Sequence, residues 1–284
     1  MADDYEIVDL GVDWVTATAT TKASTNALWN SGMRWMRDEH KQGNDKRLWN
    51  FKGYDGFKSG AVAVGARPDS VIVRISGGLA RQHFEEAFRV CTNISRLDQQ
   101  VTVRSKRQAG KVISSCYRRA LCKSRQSNRG PSVSILKHSN GSATLYLGQR
   151  ISEKFGRVYD KGAESQLPVM QGAVRFEYEA KGSVALLEAK ALAKSGNAPH
   201  HILERVSKFA LDRIGRLEWM SAKTQTIVLH RAATDKERSL EWMRVGVRPT
   251  ALRLAELGWA QEVLDCLGVD EIARYLPARL KRRA

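Results

Sequence analysis

Cysteine is scarce in this chain of 284 residues, and its spacing excludes the common zinc and redox motifs. The chain has no CxxC pair and no histidines at the spacing of a zinc site. The cysteines are Cys91, Cys116, Cys122 and Cys266. We therefore expect reduced, mostly buried thiols, which are typical of a cytoplasmic protein.

Long apolar runs are also missing from the sequence. No stretch approaches the ~20 apolar residues that span a bilayer, and the N-terminal MADDYEIVDLGVDW lacks the regions of a signal peptide. A phosphate-binding loop of the form GxxxxGK[ST] is absent, so nothing indicates a nucleotide-driven motor. These absences predict a soluble, cytoplasmic protein without a membrane partner.

Acidic residues are few relative to basic ones. The 47 Lys and Arg outnumber the 30 Asp and Glu, which gives a formal net charge of +17 and a pI of about 10.0. Such a surplus in a folded chain most often matches a polyanionic partner, and nucleic acid is the commonest. Charge alone leaves a ribosome-like or membrane-surface protein as alternatives.

The order of periodic segments predicts an α+β fold, with a mostly antiparallel β-sheet core, flanking helices and a helical C-terminal region. Strands are predicted at 12–20, 70–76, 93–105, 132–138, 143–148, 155–161 and 173–181, with a glycine-broken hairpin from residue 50. Helices are predicted at 24–42, 79–91, 106–126, 183–194, 199–221 and 248–276. We expect a first domain at 1–195 and a helical region with a basic tail at 196–284. Strand–helix–strand order recurs twice, without a sequence repeat.

Three strands carry polar side chains on one face when alternate positions are taken together. Each alone fits the solvated face of an antiparallel sheet with ordinary ion pairs. Together they are rich in arginine and carboxylates, which favours a functional site. The three sets are Arg96, Asp98, Gln100, Thr102 and Arg104; Phe155, Arg157, Tyr159 and Lys161; and Arg175, Glu177, Glu179 and Lys181.

This combination of side chains suits chemistry on a phosphodiester. A tyrosine has an ordinary pKa near ~10, and cations such as Arg157 and Lys161 would favour its phenolate and neutralise a phosphate. Hard carboxylate oxygens are the ligands that Mg²⁺ or Mn²⁺ prefers, and such a metal polarises a phosphate for in-line attack. The candidate ligands are Asp98, Glu177 and Glu179. The set predicts a DNA strand-transfer enzyme with Tyr159 as nucleophile.

Four segments resemble the replication initiation factor family, the Rep_trans-type rolling-circle initiators of small plasmids and filamentous phages. FGRVYDKGAE and VRFEYEAKG look like the paired motif of that family. GYDGFKSGAVAVGARPDSVIVRISGGLA is similar to its glycine-punctuated N-terminal block, and ISRLDQQVTV resembles its RxD strand. The resemblance covers roughly residues 12–195.

The resemblance implies a metal-dependent enzyme that nicks and joins DNA. Tyr159 matches the nucleophile, which becomes linked to the 5′-phosphate and leaves a 3′-OH primer. Asp98 and Glu177 match the acidic positions, with Glu179 as a second acid. The sequence departs from the family where Gln100 and Thr102 replace a second acid on the RxD strand, so the metal cage is thinner there or completed from elsewhere.

Basic residues near these motifs are the predicted DNA contacts. Arg157 and Lys161 are assigned to catalysis, and the others to DNA binding: Arg96, Arg175 and Lys181 on the strands, and Lys111, Arg118 and Arg119 on the basic helix. A solvated basic face is the alternative for the helix, and phosphate tracking is the functional interpretation. The segment 250–268 is interpreted as a packing helix pair rather than a DNA-reading helix-turn-helix.

Two classes of function remain open from the sequence. One is a tyrosine nickase-ligase for rolling-circle initiation, or a transposase or integrase with the same chemistry. The other is a non-catalytic, sequence-specific regulator on a degenerate initiator fold. The two-histidine metal motif of the other large initiator class is absent. Expected partners are single-stranded or supercoiled origin DNA, then a host helicase and polymerase; a homodimer, and a plasmid, phage or transposon origin, are left open.

Overall fold

Ten strands form one antiparallel sheet in the computed structural model, which describes residues 5–126, 132–221, 243 and 247–267. The sheet order is β2-β3-β4-β5-β1-β6-β10-β9-β8-β7. The strands are β1 Tyr5–Ala19, β2 Arg47–Phe51, β3 Tyr54–Ser59, β4 Val62–Arg67, β5 Ser70–Ser76, β6 Asn93–Ser105, β7 Val133–Lys137, β8 Ala143–Leu147, β9 Lys154–Asp160 and β10 Ala173–Lys181. The predicted α+β class with a mostly antiparallel sheet is confirmed.

The helices of the described residues are mostly amphipathic. They are α1 Lys22–Lys41, α2 Gly78–Val90, α3 Ala109–Arg125, α4 Lys161–Ser165, α5 Gly182–Lys194, α6 Pro199–Arg213, α7 Arg248–Glu256 and α8 Ala260–Cys266. The residues from 50 to 67, predicted as one hairpin, contribute to three strands of a meander, because the glycines provide its turns. Gly53 and Gly60 adopt the positive φ that these turns require.

The sheet consists of two halves with the same topology. In each half a long strand is followed by a helix, a four-stranded meander and a second helix: β1, α1, β2 to β5 and α2, and then β6, α3, β7 to β10 and α5. The short α4 interrupts only the second meander. The long strands β1 and β6 pair antiparallel at the centre of the sheet. A repeat that the sequence did not establish is therefore present in the topology.

The two faces of the sheet differ in chemistry because strand side chains alternate. On one face Leu97, Val101 and Val103 of β6 are fully buried, as are neighbours such as Phe176 of β10. Helices α1, α2, α3, α5 and α6 pack against the sheet on this side, where their apolar faces join the same core. The other face, hereafter the polar face, carries the acids, arginines and Tyr159.

Helix α6 belongs to the same unit as the sheet. The chain divides into compact units at 1–231 and 232–284, whereas the sequence suggested a division at 195. Ile202, Val206 and Phe209 of α6 are buried, and α6 contacts β6, β1 and β10. The sequence did not reveal this packing, because the apolar pattern of an amphipathic helix is the same whether the helix packs on a sheet or on another helix.

The described part of the second unit is a helix pair. Helices α7 and α8 contact each other and are joined through Gly258, whose φ is +93°. The predicted helix pair is therefore present, and its interpretation as a packing pair stays a prediction. The predicted helix extended to 276, and its end lies outside the described residues, as does the basic tail. Among the described residues no helix is long and apolar enough to cross a membrane.

Candidate active site

Tyr159 and Glu177 meet on the polar face of neighbouring strands. The Tyr159 hydroxyl donates a hydrogen bond of 2.9 Å to Glu177 Oε1. The pairing of β9 with β10 places Tyr159 opposite Arg175 and Glu177 opposite Arg157, so the two residues are diagonal neighbours. Alternation along the strands allowed Tyr159 to meet an acidic residue, and in the structure it meets Glu177.

Arg157 lies between two of the predicted acids. Its Nη2 is 2.5 Å from Glu177 Oε2 and 3.8 Å from Asp98 Oδ2. Glu177 Oε2 and Arg157 Nε are nevertheless both buried without a hydrogen bond among the described residues. The ion pair is therefore close but poorly aligned for hydrogen bonding. One guanidinium thus lies near carboxylates from two strands, and one polar atom of each member of the close pair makes no hydrogen bond among the described residues.

Asp98 and Glu179 share a second arginine. Arg96, two residues before Asp98 on the same strand, binds it in a bidentate fashion at 2.8 and 2.6 Å. Arg96 Nη2 also lies 2.9 Å from Glu179 Oε2, and Lys181 Nζ lies 2.8 Å from the other oxygen of Glu179. Both oxygens of Glu179 therefore have cationic partners.

Two further acids come from β1, where sequence analysis placed none. Arg175 bonds to Asp9 at 3.1 Å, to Asp13 at 3.2 Å and to Thr102 at 2.9 Å. Gln100 donates to Asp9 at 2.8 Å and accepts from Thr102, so the two residues at the positions where the resemblance implied a second acid connect to Asp9 instead. Both acids lie in the segment DLGVD, residues 9–13. A predicted strand that began at residue 5, where β1 begins, would have included both of them.

Arg81 of α2 completes this part of the site. Its Nη2 donates to Asp9 Oδ1 at 2.9 Å. The guanidinium lies directly against the backbone of Gly11, where a Cβ would be 2.1 Å from Arg81 Nε. Gly11 is needed here because any side chain would displace the arginine.

Lys161 is not on the strand, so the predicted alternation up to this residue is wrong. Strand β9 ends at Asp160, whose carboxylate accepts from the backbone N–H of Ala163 at 2.9 Å and caps α4. Lys161 is the first residue of α4, and its ammonium pairs with Glu164. Its assignment to catalysis stays a prediction, now without support from strand alternation.

The predicted DNA contacts fall on both sides of the sheet. Arg175 is only 5% exposed and bonded to acids, which makes it an internal partner of the carboxylates, whereas Arg96 and Lys181 are partly exposed. The basic residues of α3 are exposed on the helical side, opposite the polar face: Lys111, Arg118 and Arg119. The structure does not bring them together with Tyr159.

Burial keeps the tyrosine protonated. Burial, and then the charge of Glu177, raise the pKa of Tyr159 above its ordinary value, while Arg175 opposes them. The expectation that cationic neighbours lower this pKa is therefore wrong for the protein alone, because the nearest charged atom is a carboxylate. Tyr159 needs a proton acceptor to react, and Glu177 is within hydrogen-bond distance.

The acids are also perturbed by burial. Asp98 is 1% exposed, and burial raises its pKa to about 7 although Arg96 favours the charged form. The pKa of Glu177 is raised by burial too, against the influence of Arg157. Crowded carboxylates of this kind are stabilised by any cation that enters between them.

Tyr159 and Arg157 line a cleft of about 330 Å³. One wall is the β7–β8 hairpin, with His138 and Tyr146, and the other includes Glu164 of α4. His138 hydrogen-bonds to Thr144 at 3.0 Å, and Thr144 lies opposite Tyr159 in the sheet. A substrate can thus approach the tyrosine hydroxyl from this side.

The donor chemistry of the acids fits a hard divalent cation, although no ligand set is ready-made. Glu177 Oε2 is buried without a hydrogen bond, and carboxylate oxygens suit Mg²⁺ or Mn²⁺. Among the described residues, however, no three acid, histidine or cysteine side chains are arranged to hold a metal ion. The guanidinium of Arg157 occupies the space between Asp98 and Glu177.

The fold is similar to that of a known replication protein. The solved structure of a rolling circle replication initiator protein from Geobacillus stearothermophilus matches with a TM-score of 0.50 and 19% sequence identity, covering 81% of this chain and 90% of that one. No family model and no curated protein matches the sequence. At this identity the likeness concerns the fold.

Proposed function

We propose that this protein initiates rolling-circle DNA replication by nicking and rejoining one DNA strand through Tyr159. The observation that carries the proposal is the hydrogen bond from the Tyr159 hydroxyl to Glu177 at the cleft. The fold likeness to a rolling circle replication initiator and the net charge of +17 support it. A purely structural tyrosine would need neither a cleft nor an adjoining cluster of five acids.

In the proposed reaction Tyr159 Oη attacks the scissile phosphorus. Glu177 Oε1, already 2.9 Å away, takes the phenolic proton as the new O–P bond forms. The bond from phosphorus to the 3′-oxygen breaks, and the leaving 3′-oxygen takes a proton from water, which leaves a 3′-OH primer and a 5′-phosphotyrosine. The reverse reaction rejoins a strand, with Glu177 returning the proton.

Arg157 is proposed to neutralise the phosphate. In the protein alone its guanidinium pairs with Glu177 and approaches Asp98, yet it also lines the cleft beside Tyr159. A phosphate in the cleft would compete for this cation, and a guanidinium suits a phosphoryl oxygen well. Arg157 would then stabilise the charge that develops on the phosphate.

A divalent cation, Mg²⁺ or Mn²⁺, is proposed to bind at Asp98 and Glu177, with Glu179 as the third acid. When bound, it supplies the Lewis acidity that polarises a phosphate. Burial raises the pKa of Asp98 and of Glu177, and Arg157 lies near both carboxylates. The binding of metal and the release of Arg157 toward the phosphate would therefore be linked.

The test is adduct formation with single-stranded or supercoiled origin DNA and Mg²⁺ or Mn²⁺. We expect a covalent protein–DNA adduct that resists denaturation and disappears in Tyr159→Phe. The matched control is Tyr178→Phe, a tyrosine of β10 that points to the core and bonds to Glu188, which should keep the adduct. Tight DNA binding without an adduct under any divalent ion would instead identify a non-catalytic DNA-binding protein.

A further inference from the structure

A row of aromatic and basic side chains extends the polar face away from the acids. Trp14 of β1 has two guanidinium groups near its ring, that of Arg96 at 4.6 Å and that of Arg74 at 4.8 Å from the centroid. Arg74 also lies 4.5 Å from the ring of Phe51 and 5.7 Å from that of Trp49. Cations and rings therefore alternate from the acid cluster to the outermost strand β2.

A bulge in β1 creates the row. From Asp9, simple alternation would place Trp14 on the core face with Leu10 and Val12. The register shift between Val12 and Trp14 returns Trp14 to the polar face, opposite Asp98 in β6 and Ser76 in β5. The indole thus lies between the acid cluster and Arg74.

Glycines make room for the outer rings. Trp49 and Phe51 alternate along β2 and stack at 5.6 Å with an angle of 10° between their planes. Trp49 lies over Gly65 of β4, where a Cβ would be 2.9 Å from Trp49 Cζ3. The ring therefore lies flat along the sheet instead of standing on it. We name Trp14, Trp49, Phe51 and Arg74 the aromatic row.

The aromatic row carries positive charge that acids do not cancel. The arginines of the active site are paired with carboxylates, whereas no described acid pairs with Arg74 in an ion pair. The strand registers put further cations on the same face: Arg47 of β2, Lys58 of β3 and Arg67 of β4. Of these, Arg67 pairs with Asp69. The two halves of the sheet have the same topology but differ in charge on this face.

We propose that the aromatic row binds single-stranded DNA, as a track leading to Tyr159. Stacking rings with interspersed cations are the features that bind unpaired nucleotides without sequence preference, because every base has a π-face and every linkage a phosphate. A duplex offers no such faces, since its bases are stacked on each other. The role of this track rests on the proposed function, while its binding can be measured separately.

The dimensions fit a short stretch of one strand. Seven interstrand spacings separate β9 from β2, which at ~4.8 Å each give about 34 Å. At the duplex rise of about 3.4 Å per nucleotide this holds about ten nucleotides, and fewer when the strand is extended. The affinity for a homopolymer should therefore rise with length up to about this size and then level off.

The test measures binding of fluorescent oligo(dT) of about 20 nucleotides to the full chain, without metal and in the Tyr159→Phe background, so that no covalent step contributes. Trp49→Ala should weaken binding about 5- to 100-fold, as the loss of one stacking ring does, and Trp49→Phe should keep most of it. Leu48→Ala, on the same strand but 84% exposed on the opposite face, is the control and should bind as the parent does. Gly65→Val, which displaces the ring without removing it, should resemble Trp49→Ala.

Three outcomes would overturn the inference. They are unchanged oligo(dT) binding in both Trp49→Ala and Gly65→Val, tighter binding of a duplex of the same length, and tighter binding of oligo(rU) than of oligo(dT). Adduct formation by otherwise wild-type protein is assayed in parallel with a short origin strand. If adducts form but oligo(dT) binding does not depend on Trp49, the track is refuted and the proposed nicking is not. If binding depends on Trp49 but no adduct forms, the proposed nicking is refuted and the track is not.

Discussion

The hydroxyl of Tyr159 is bound to the carboxylate of Glu177, a diagonal neighbour on the adjacent strand, at 2.9 Å. This contact holds the proton that must leave if Tyr159 attacks a phosphate. Because burial and Glu177 raise the pKa of Tyr159, we expect the hydroxyl to keep its proton until a substrate or cation changes the balance of charge. Such an arrangement would protect against reaction with the wrong phosphate.

Glu177→Gln should slow adduct formation with origin DNA by about 100- to 10,000-fold. The amide still reaches the hydroxyl but cannot accept its proton. DNA binding should stay within about twofold, which separates chemistry from affinity. Glu85→Gln, an exposed acid of α2 on the helical side, serves as the matched control. Adduct formation at the parent rate in Glu177→Gln would exclude Glu177 as the proton acceptor.

Loss of Glu177 should reduce Mn²⁺ affinity more than loss of Glu179, as measured by calorimetry without DNA. Among the described residues Glu177 Oε2 pairs with Arg157 alone and makes no hydrogen bond, whereas each oxygen of Glu179 has a cationic partner of its own, Arg96 or Lys181. We expect at least about a tenfold loss in Glu177→Gln and a smaller one in Glu179→Gln. The reverse order would make Glu179 the main ligand, and no binding by the parent would refute the metal site.

The contribution of Asp98 to the stability of the metal-free protein should fall as the pH rises from about 4 to about 7. The pKa of Asp98 is about 7 in the folded protein and about 3.9 in an unfolded chain, so the folded state binds the extra proton in this window. The free energy of unfolding therefore decreases with pH, on the order of a few kcal/mol for this group. Denaturant titrations of Asp98→Asn should show a flatter pH dependence. If the free energy of unfolding of Asp98→Asn depended on pH as that of the parent does, Asp98 would be ionised in the folded protein over this whole pH range.

Gly156→Ala should destabilise the first unit by about 1–3 kcal/mol, because it overpacks a core contact. A Cβ at this position would lie 2.2 Å from Cε1 of Phe209 in α6. Gly110→Ala is the matched control: nothing lies near its Cβ position in α3, and it should stabilise by about 0.5–1 kcal/mol. Thermal unfolding gives both values. If Gly156→Ala left the thermal unfolding unchanged, α6 would not pack closely on β9 in solution.

Much of the sheet and half of the site were predictable from sequence alone. Alternation along β6, β9 and β10 placed Asp98, Tyr159 and Glu177 on polar faces, because the side chains of a regular strand must alternate. The prediction failed at Lys161, where the strand had already ended. It also missed Asp9, because the boundary of a strand depends on its pairing partners, and β1 pairs with β5 and β6 far away in the chain. Asp13 lay inside the predicted strand and was missed because Asp9, with which it binds Arg175, lay outside it.

The sequence by itself determined the basic charge, most of the strands and helices, and which side chains share a face within one strand. These properties follow from composition and from local periodicity. Only the tertiary structure decided which strands are neighbours, and therefore that Tyr159 contacts Glu177, that Arg157 lies between two acids and that the basic face of α3 is on the opposite side. The bulge that turns Trp14 toward the acids was likewise settled by pairing, because register is a property of two strands and not of one.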